Sequence, residues 1–149
     1  MKVRRRARML ALQTLYEIDS VGHDAETILT YHLQEKPLPK GGDDFARQLV
    51  HGVLAHIPAL DQIITRIAPE WPPQQIAIID RNILRMAIYE VMMDQDIPEK
   101  VAINEAVELA KLFGSESSRR FINGALGALM TQKAAIEQQL DVANGATDR

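Results

Sequence analysis

Apolar residues recur every three or four positions along most of the chain, and no segment alternates between apolar and polar residues with a period of two. This spacing is typical of amphipathic α-helices, because side chains three and four residues apart lie on the same helix face. The first stripe, formed by Ala7, Ala11, Leu15 and Ile18, predicts a helix over 3–19. Comparable patterns predict an all-α chain with further helices over 24–35, 45–67, 74–93, 101–113 and 115–140.

Prolines and glycines divide these patterns. Gly22 marks a turn, and the segments KPLPKGGDD (36–44) and PEWPP (69–73) have the composition of loops. Pro58 lies inside the third apolar pattern. It removes one backbone hydrogen bond and clashes with the preceding turn, so we expect a kink or a break there.

Residues suited to helix ends flank the predicted helices. Asp43 or Asp44 is predicted to cap the third helix, and Ser115 the last one. Pro98 opens the fifth helix at a position where its missing N–H is harmless. Gly114 is predicted to end that helix.

The chain is long enough for one domain with a sizeable core. It has 149 residues, of which 46% are hydrophobic and 25% charged, as in ordinary soluble globular proteins. We predict a single globular domain over 1–140 with six to seven helices. The polar residues 141–149 are predicted to form a disordered tail.

The composition excludes several kinds of chemistry. There is no cysteine, so disulfides, thiolate metal sites and cysteine nucleophiles are excluded. The four histidines form no HExxH zinc motif, and no P-loop, dinucleotide-binding or GxSxG pattern occurs. We therefore predict no metal, no cofactor and no catalytic residue, and expect that the protein is not an enzyme.

The sequence also lacks membrane and export signals. No apolar run approaches the roughly 18 residues that a membrane-spanning helix needs. Polar residues interrupt the basic start too early for a signal peptide. A cytoplasmic protein is the simplest expectation.

Positive charge is concentrated at the N-terminus. Five of the first eight residues are basic, whereas the remaining residues have 12 Lys or Arg against 20 Asp or Glu and the whole chain carries −3. Such a cluster is typical of a phosphate-binding surface, and the acidic remainder would repel RNA elsewhere. The alternative is a solvated arm, which is disfavoured because cations at a helix N-terminus oppose the helix dipole. The clustered cations are Lys2, Arg4, Arg5, Arg6 and Arg8.

The arginines point in different directions around the predicted helix. Arg5 and Arg6 face away from the apolar stripe and suit nucleic-acid binding, whereas Arg8 lies on the apolar side. A buried arginine requires a carboxylate partner, and Glu90 and Glu105 are both candidates. Arg8 is accordingly either a structural residue or an RNA contact.

Four segments carry a resemblance to a known family. The strings ILRMAIYEVMMDQDIP (83–98) and VAINEAVELAKLFGSESSRRFINGAL (101–126) resemble the C-terminal signature of the NusB family of transcription antitermination factors. The start RRRARMLALQTLY (4–16) resembles the opening helix of that family, and FARQLVHGVLAHIPALDQII (45–64) resembles its middle helix. The similarity covers about 2–135 in one register.

The resemblance implies a fold of two small helical bundles packed together. It implies binding to NusE, a small-subunit ribosomal protein, and to single-stranded boxA RNA in nascent ribosomal RNA leader transcripts. The pair would act indirectly through the RNA polymerase antitermination complex and let the polymerase read through terminators. No reaction would be catalysed.

The resemblance also implies a set of RNA-binding residues. Tyr16 and Phe121 would stack on bases, although each could instead belong to the core. Ser117 stands where some relatives carry an acidic residue, and this departure removes a repulsion towards phosphate. Arg119 and Arg120 would enlarge the positive surface if they face the same way. The full set is Lys2, Arg4, Arg5, Arg6, Arg8, Gln13, Tyr16, Ser117, Arg120 and Phe121.

The predicted partner surface is acidic. The resemblance places Asp80 on the side that faces NusE, with Arg85 and Glu90 as weaker candidates. NusE-type partners are basic, so the negative charge outside the N-terminus suits association with them. Asp80 could instead be an ordinary exposed carboxylate, and Arg85 could contact RNA or form an internal ion pair.

Two other functions stay open at this point. One is a self-associating helical scaffold with no RNA role, in which a free homodimer would hide the basic surface. The other is a freestanding relative of the RNA-binding domain of ribosomal RNA cytosine methyltransferases. That enzyme class requires an α/β cofactor domain, for which 149 residues leave no room.

Overall fold

Seven α-helices and one 3-10 turn make up the computed structural model, which describes residues 2–94 and 96–147, with side chains described as far as residue 140. No strand occurs in these residues, so the all-α prediction is confirmed. The helices are α1 (Val3–Val21), α2 (Ala25–Glu35), α3 (Gly42–Ala55), α4 (Ile57–Ile67), α5 (Ile78–Met92), α6 (Glu99–Phe113) and α7 (Ser118–Thr147).

The predicted third helix is divided in two at His56, whose φ of −125° and ψ of 18° are not helical. Pro58 lies in the first turn of α4, where its missing N–H costs no helical hydrogen bond. The expected interruption is therefore confirmed, as a break. The predicted cap at Asp43 or Asp44 is wrong, because Gly41 caps α3 with a φ of 88°. Both aspartates lie in the first turn instead, where negative charge favours the helix dipole.

The predicted fourth helix begins later than expected, at Ile78. A 3-10 turn, Pro73–Gln75, precedes it, and Ile76 is extended. The N–H of Gln75 donates to the carbonyl of Pro72 at 2.8 Å, which tightens the turn. The prolines end the preceding helical pattern, and the extended Ile76 separates this turn from α5.

The turn between α6 and α7 depends on Gly114 and Ser118. A side chain at Gly114 would collide with the buried Ser118, which explains why a glycine ends α6. The Oγ atom of Ser118 accepts a hydrogen bond from the N–H of Ser115 at 2.8 Å. Ser118, and not the predicted cap Ser115, is therefore the residue whose side chain closes the turn.

The last helix is longer than the sequence predicts. It extends to Thr147 and does not end near residue 140. The predicted disorder of 141–149 stays a prediction, and residues 148–149 lie outside the described residues.

The helices form two groups that meet through α1 and α5. The first group packs α2 and α3 on α1, the second packs α4, α6 and α7 on α5, and α1 and α3 both contact α5. This is the arrangement of two packed bundles that the resemblance implies. The predicted stripe of Ala7, Ala11 and Leu15 is buried, which leaves the opposite face of α1 at the surface. Within the described residues, no helix combines the length and apolarity needed to cross a membrane.

Candidate nucleic-acid and partner interface

Arg8 lies in the interior between α1 and α5. Its Nε and Nη2 atoms donate to the two carboxylate oxygens of Glu90 at 2.9 and 2.7 Å, and each side chain is only 3% exposed. The expected pairing with one of two glutamates is thus formed with Glu90. Neither side chain reaches the surface. The pair therefore agrees with the structural role predicted for Arg8. The predicted contacts of Arg8 with RNA and of Glu90 with NusE would both require an exposed group.

Arg5 is paired but remains at the surface. Its guanidinium binds both oxygens of Glu105 on α6, at 2.9 and 3.0 Å, with 37% of the arginine side chain exposed. The hydrogen bonds and the charge of Glu105 raise the pKa of Arg5 above its usual value. Arg5 can therefore reach RNA only in competition with Glu105.

Three cations at the start of α1 have no carboxylate partner among the described side chains. Lys2 precedes the helix and is exposed. The guanidinium carbon of Arg4 lies 4.9 Å from the ring centroid of Phe45, a distance typical of a cation–π contact. Arg6 makes only a long hydrogen bond, 3.4 Å, to the carbonyl of Pro37. These three residues form what we call the basic end of α1.

A groove of about 700 Å³ runs along the exposed face of α1. Arg6, Gln13 and Tyr16 line it together with residues of α2 and with Ile79 and Phe113. Tyr16 is 40% exposed, so it belongs to the surface rather than to the core. The structure therefore brings three of the predicted RNA-binding residues into one depression, the α1 groove.

A second cavity, of about 350 Å³, surrounds Asp80 in the first turn of α5. Asp80 is 8% exposed, and its Oδ1 atom is buried without a hydrogen-bond partner among the described residues. A lone buried acceptor of this kind costs about 1–3 kcal/mol of stability unless a donor reaches it. The cavity, which we call the Asp80 cavity, is also lined by Trp71, Gln75, Ile76, Ala77, Ser117, Arg120 and Phe121.

The two depressions are neighbours, because Ile79 lines the α1 groove and the adjacent residue Asp80 lines the Asp80 cavity. The predicted NusE residue Asp80 thus shares a cavity with Ser117, Arg120 and Phe121, which were predicted to bind RNA. Asp80 precedes the other three residues by about 40 positions in the sequence, and the packing of α7 beside α5 brings them together.

Arg85 belongs to an internal ion-pair network between α1, α4 and α5. Its Nε and Nη2 atoms donate to Asp61 at 2.9 Å, and Nη1 donates to Asp19 at 3.0 Å. Burial opposes ionisation of Asp19, but hydrogen bonds from Asn82 and Arg81 and the arginine charges lower the pKa of Asp19 overall. Arg85 thus forms the internal ion pair that was one of its predicted roles, and it is only 8% exposed.

The sequence reasoning missed Trp71. It treated PEWPP only as a loop, although a large aromatic residue between prolines is itself an unusual feature. Trp71 is 51% exposed and lines the Asp80 cavity.

Comparison with known proteins shows that most of the chain is similar to the NusB family. A family model described as the NusB family matches residues 5–131. The chain is 49% identical over 126 residues to a transcription antitermination protein NusB of Dehalococcoides mccartyi strain CBDB1, covering 85% of this chain and 88% of that protein. It is 44% identical over 132 residues to the NusB of Roseiflexus sp. strain RS-1, and the match covers 87% of this chain and 93% of that protein.

Solved structures agree with the fold. T. maritima NusB superimposes with a TM-score of 0.76 at 33% identity, over 91% of this chain and 90% of that one. A crystal structure of antitermination factors NusB and NusE with double-stranded RNA contains a chain that matches with a TM-score of 0.77 at 25% identity, over 93% and 98%. This chain belongs to the NusB family.

Proposed function

We propose that this protein is a transcription antitermination factor that binds boxA RNA together with the ribosomal protein NusE. Acting on nascent ribosomal RNA leaders in the cytoplasm, the pair lets RNA polymerase read through terminators, and the protein catalyses no reaction. Support comes from its NusB relatives, which are named antitermination proteins, and from the similar chain found with NusE and RNA. The observation that carries the proposal is the unpaired basic end of α1 on an otherwise acidic chain.

The basic end of α1 supplies the main electrostatic attraction for RNA. Lys2, Arg4 and Arg6 have no described carboxylate to displace, so binding a phosphate there breaks no ion pair. Arg120, which is exposed on α7, adds a fourth cation. Four such contacts give a slope of roughly −3 for log K against log salt, with the coefficient for single strands. Arg8 lies outside this surface because it is buried on Glu90.

Side chains suited to unpaired bases lie beyond the basic end. Tyr16 presents its ring to the α1 groove, and Gln13 adds a polar group there. Phe121 is half-buried beside Arg120, and Ser117 is exposed and neutral where an acidic residue would repel phosphate. Aromatic and arginine planes that stack on bases are typical of single-strand recognition.

Asp80 is the proposed contact for NusE. Its Oδ1 is buried, so the contact requires that a cationic side chain of a basic partner enter the Asp80 cavity and donate a hydrogen bond to this acceptor. Arg85 and Glu90 are engaged inside the protein, so we propose that they hold α5 in place and do not contact the partner directly.

The test is RNA binding in the presence of NusE. We expect the Arg4→Ala/Arg6→Ala variant to bind boxA RNA at least tenfold more weakly, because two phosphate contacts are lost. Arg66→Ala serves as the control, since Arg66 is an exposed arginine on α4 whose side-chain hydrogen bonds, among the described residues, go to Gln132 and Gln139. If the double variant binds as tightly as wild type, the proposed RNA surface is wrong.

The free homodimer stays a prediction. Gel filtration of the protein alone, and then with NusE and boxA RNA, distinguishes self-association from assembly with these partners. A stable dimer that neither partner dissociates would favour the scaffold function instead.

A further inference from the structure

Trp71 is a large exposed side chain that the proposed function does not yet use. It is 51% exposed, although tryptophan is ordinarily buried over most of its surface. An exposed ring of this size next to apolar residues is typical of a recognition surface.

The backbone holds Trp71 in a short loop after α4. Pro69 lies two residues before it and Pro72 follows it directly, so φ is restricted on both sides. The N–H of Trp71 donates to the carbonyl of Ala68 at 3.0 Å, which closes a turn at the end of the helix. The loop is therefore ordered before any ligand binds, and this lowers the entropic cost of binding.

Trp71 shares its surroundings with Arg120 and Phe121 of α7. All three residues line the Asp80 cavity, and all three also line an adjoining cavity of about 240 Å³. The adjoining cavity extends to Gly124, where an added side chain would meet no atom within 4 Å. The result is two aromatic side chains and an arginine that line the same two open cavities.

This combination suits single-stranded RNA. Aromatic faces stack on bases of any sequence, while arginine neutralises the phosphate between them. Arg119 and Arg120 form no ion pair with any side chain that the structure describes. The nearby carboxylates Glu70 and Asp80 repel phosphate, so the backbone of a bound strand would follow the arginine side of the cavities.

We propose that Trp71 stacks on an unpaired base of the RNA that this protein binds. With this contact, the RNA-binding surface would continue from Phe121 on α7 to the loop after α4. The inference rests on the proposed function and deepens it, because it adds a base-binding residue from a part of the chain to which no RNA contact was assigned.

Fluorescence tests the contact directly, since Trp71 is the one tryptophan of the chain. We expect a boxA RNA oligonucleotide to quench its emission in the complex with NusE, after subtraction of the same titration with Trp71→Phe. Quenching by NusE alone, with no further change on adding RNA, would overturn the proposal in favour of a protein contact.

Affinity gives an independent measurement. Trp71→Ala and Trp71→Leu should each weaken boxA binding about 5- to 150-fold, which corresponds to about 1–3 kcal/mol for one stacked base. Trp71→Tyr keeps an aromatic face and should retain most of the affinity. Val101→Ala is the matched control, because Val101 is an exposed apolar residue that lines neither cavity.

The outcomes separate this inference from the proposed function. If both non-aromatic variants bind like wild type while Arg4→Ala/Arg6→Ala loses affinity, only the role of Trp71 is wrong. If the wild-type protein with NusE does not bind boxA RNA at all, both are wrong. Circular dichroism of each variant shows whether a loss of affinity reflects unfolding. If Trp71→Ala and Trp71→Leu do not fold, the quenching of Trp71 emission in the wild-type protein decides the matter.

Discussion

Two arginine–glutamate pairs of similar geometry lie three residues apart on α1, yet their surroundings differ. Arg8 binds Glu90 at 2.9 and 2.7 Å, and Arg5 binds Glu105 at 2.9 and 3.0 Å. The arginine side chain is 3% exposed in the first pair and 37% in the second. The first pair joins α1 to α5 inside the protein, whereas the second joins α1 to α6 at the surface.

The difference shows why a cluster of arginines cannot be assigned one function. Opening a buried pair leaves a charge without water, so Arg8 is bound to its structural role. Opening a surface pair exposes both charges to solvent, so Arg5 can exchange Glu105 for a phosphate. Solvent access, rather than position in the cluster, separates the two arginines.

The largest expected effect is on the buried pair. Glu90→Leu leaves Arg8 as an uncompensated interior charge, and we expect it to lower the free energy of unfolding by about 3–5 kcal/mol. The double variant Arg8→Met/Glu90→Leu removes both charges and should recover most of that loss. Urea unfolding measures the free energy of unfolding of both variants. A loss below about 1 kcal/mol in the single variant would mean that Arg8 escapes to solvent and that the two pairs are equivalent.

The other end of α1 should show a dependence on pH. The pKa of Asp19 is lowered in the folded protein, so its stabilisation is present above the unfolded pKa of about 4 and is lost as the pH falls through the folded pKa. Asp19→Asn should therefore be less stable at pH values near 7 and lose less stability than wild type on acidification. The comparison is made by urea midpoints across this range, with Glu35→Gln as control, because Glu35 is exposed and lies away from any helix N-terminus. Parallel pH curves for wild type and Asp19→Asn would contradict the expectation.

The surface pair is tested through RNA. Glu105→Gln should release Arg5 while reducing stability less than Glu90→Leu does. The freed cation can take up one more phosphate, so the slope of log K against log salt should steepen by about 0.7. An unchanged slope in boxA titrations with NusE would show that Arg5 makes no phosphate contact even without its partner.

The smallest effect concerns Phe45, whose ring contacts both the exposed Arg4 and the buried Arg8. The guanidinium carbons of Arg4 and Arg8 are 4.9 and 5.0 Å from its centroid. Phe45→Leu should weaken boxA binding about 2- to 5-fold, because a cation–π contact of about 0.5–1 kcal/mol no longer orients Arg4. The effect should vanish in an Arg4→Ala background. If it persists there, Phe45 acts on the fold and not on Arg4.

Local patterns predicted the helices but not all of their ends. Pro58 was recognised because its effect on a helix is local. The capping aspartates were mispredicted because Gly41 adopts a left-handed conformation that permits a different cap. The start of α5 differs from the prediction because Gln74 and Gln75 fit a helical pattern, whereas the backbone forms a 3-10 turn there and is extended at Ile76.

The candidate site was predicted in part. The resemblance placed Tyr16, Ser117, Arg120 and Phe121 on an RNA surface, and the structure puts them at two neighbouring depressions. Trp71 was missed because its importance depends on residues about 50 positions later in the chain. No local pattern contains that information.

The sequence by itself determined the all-α class, the concentration of positive charge at the N-terminus and the family. These follow from periodicity, composition and long matching strings, which are properties of the chain alone. Only the tertiary structure decided that Glu90 pairs with Arg8 and Glu105 with Arg5, across separations of 82 and 100 residues. Periodicity specifies the direction in which a side chain leaves its helix, but the packing of α5 and α6 against α1 determines what it meets and how much water remains there.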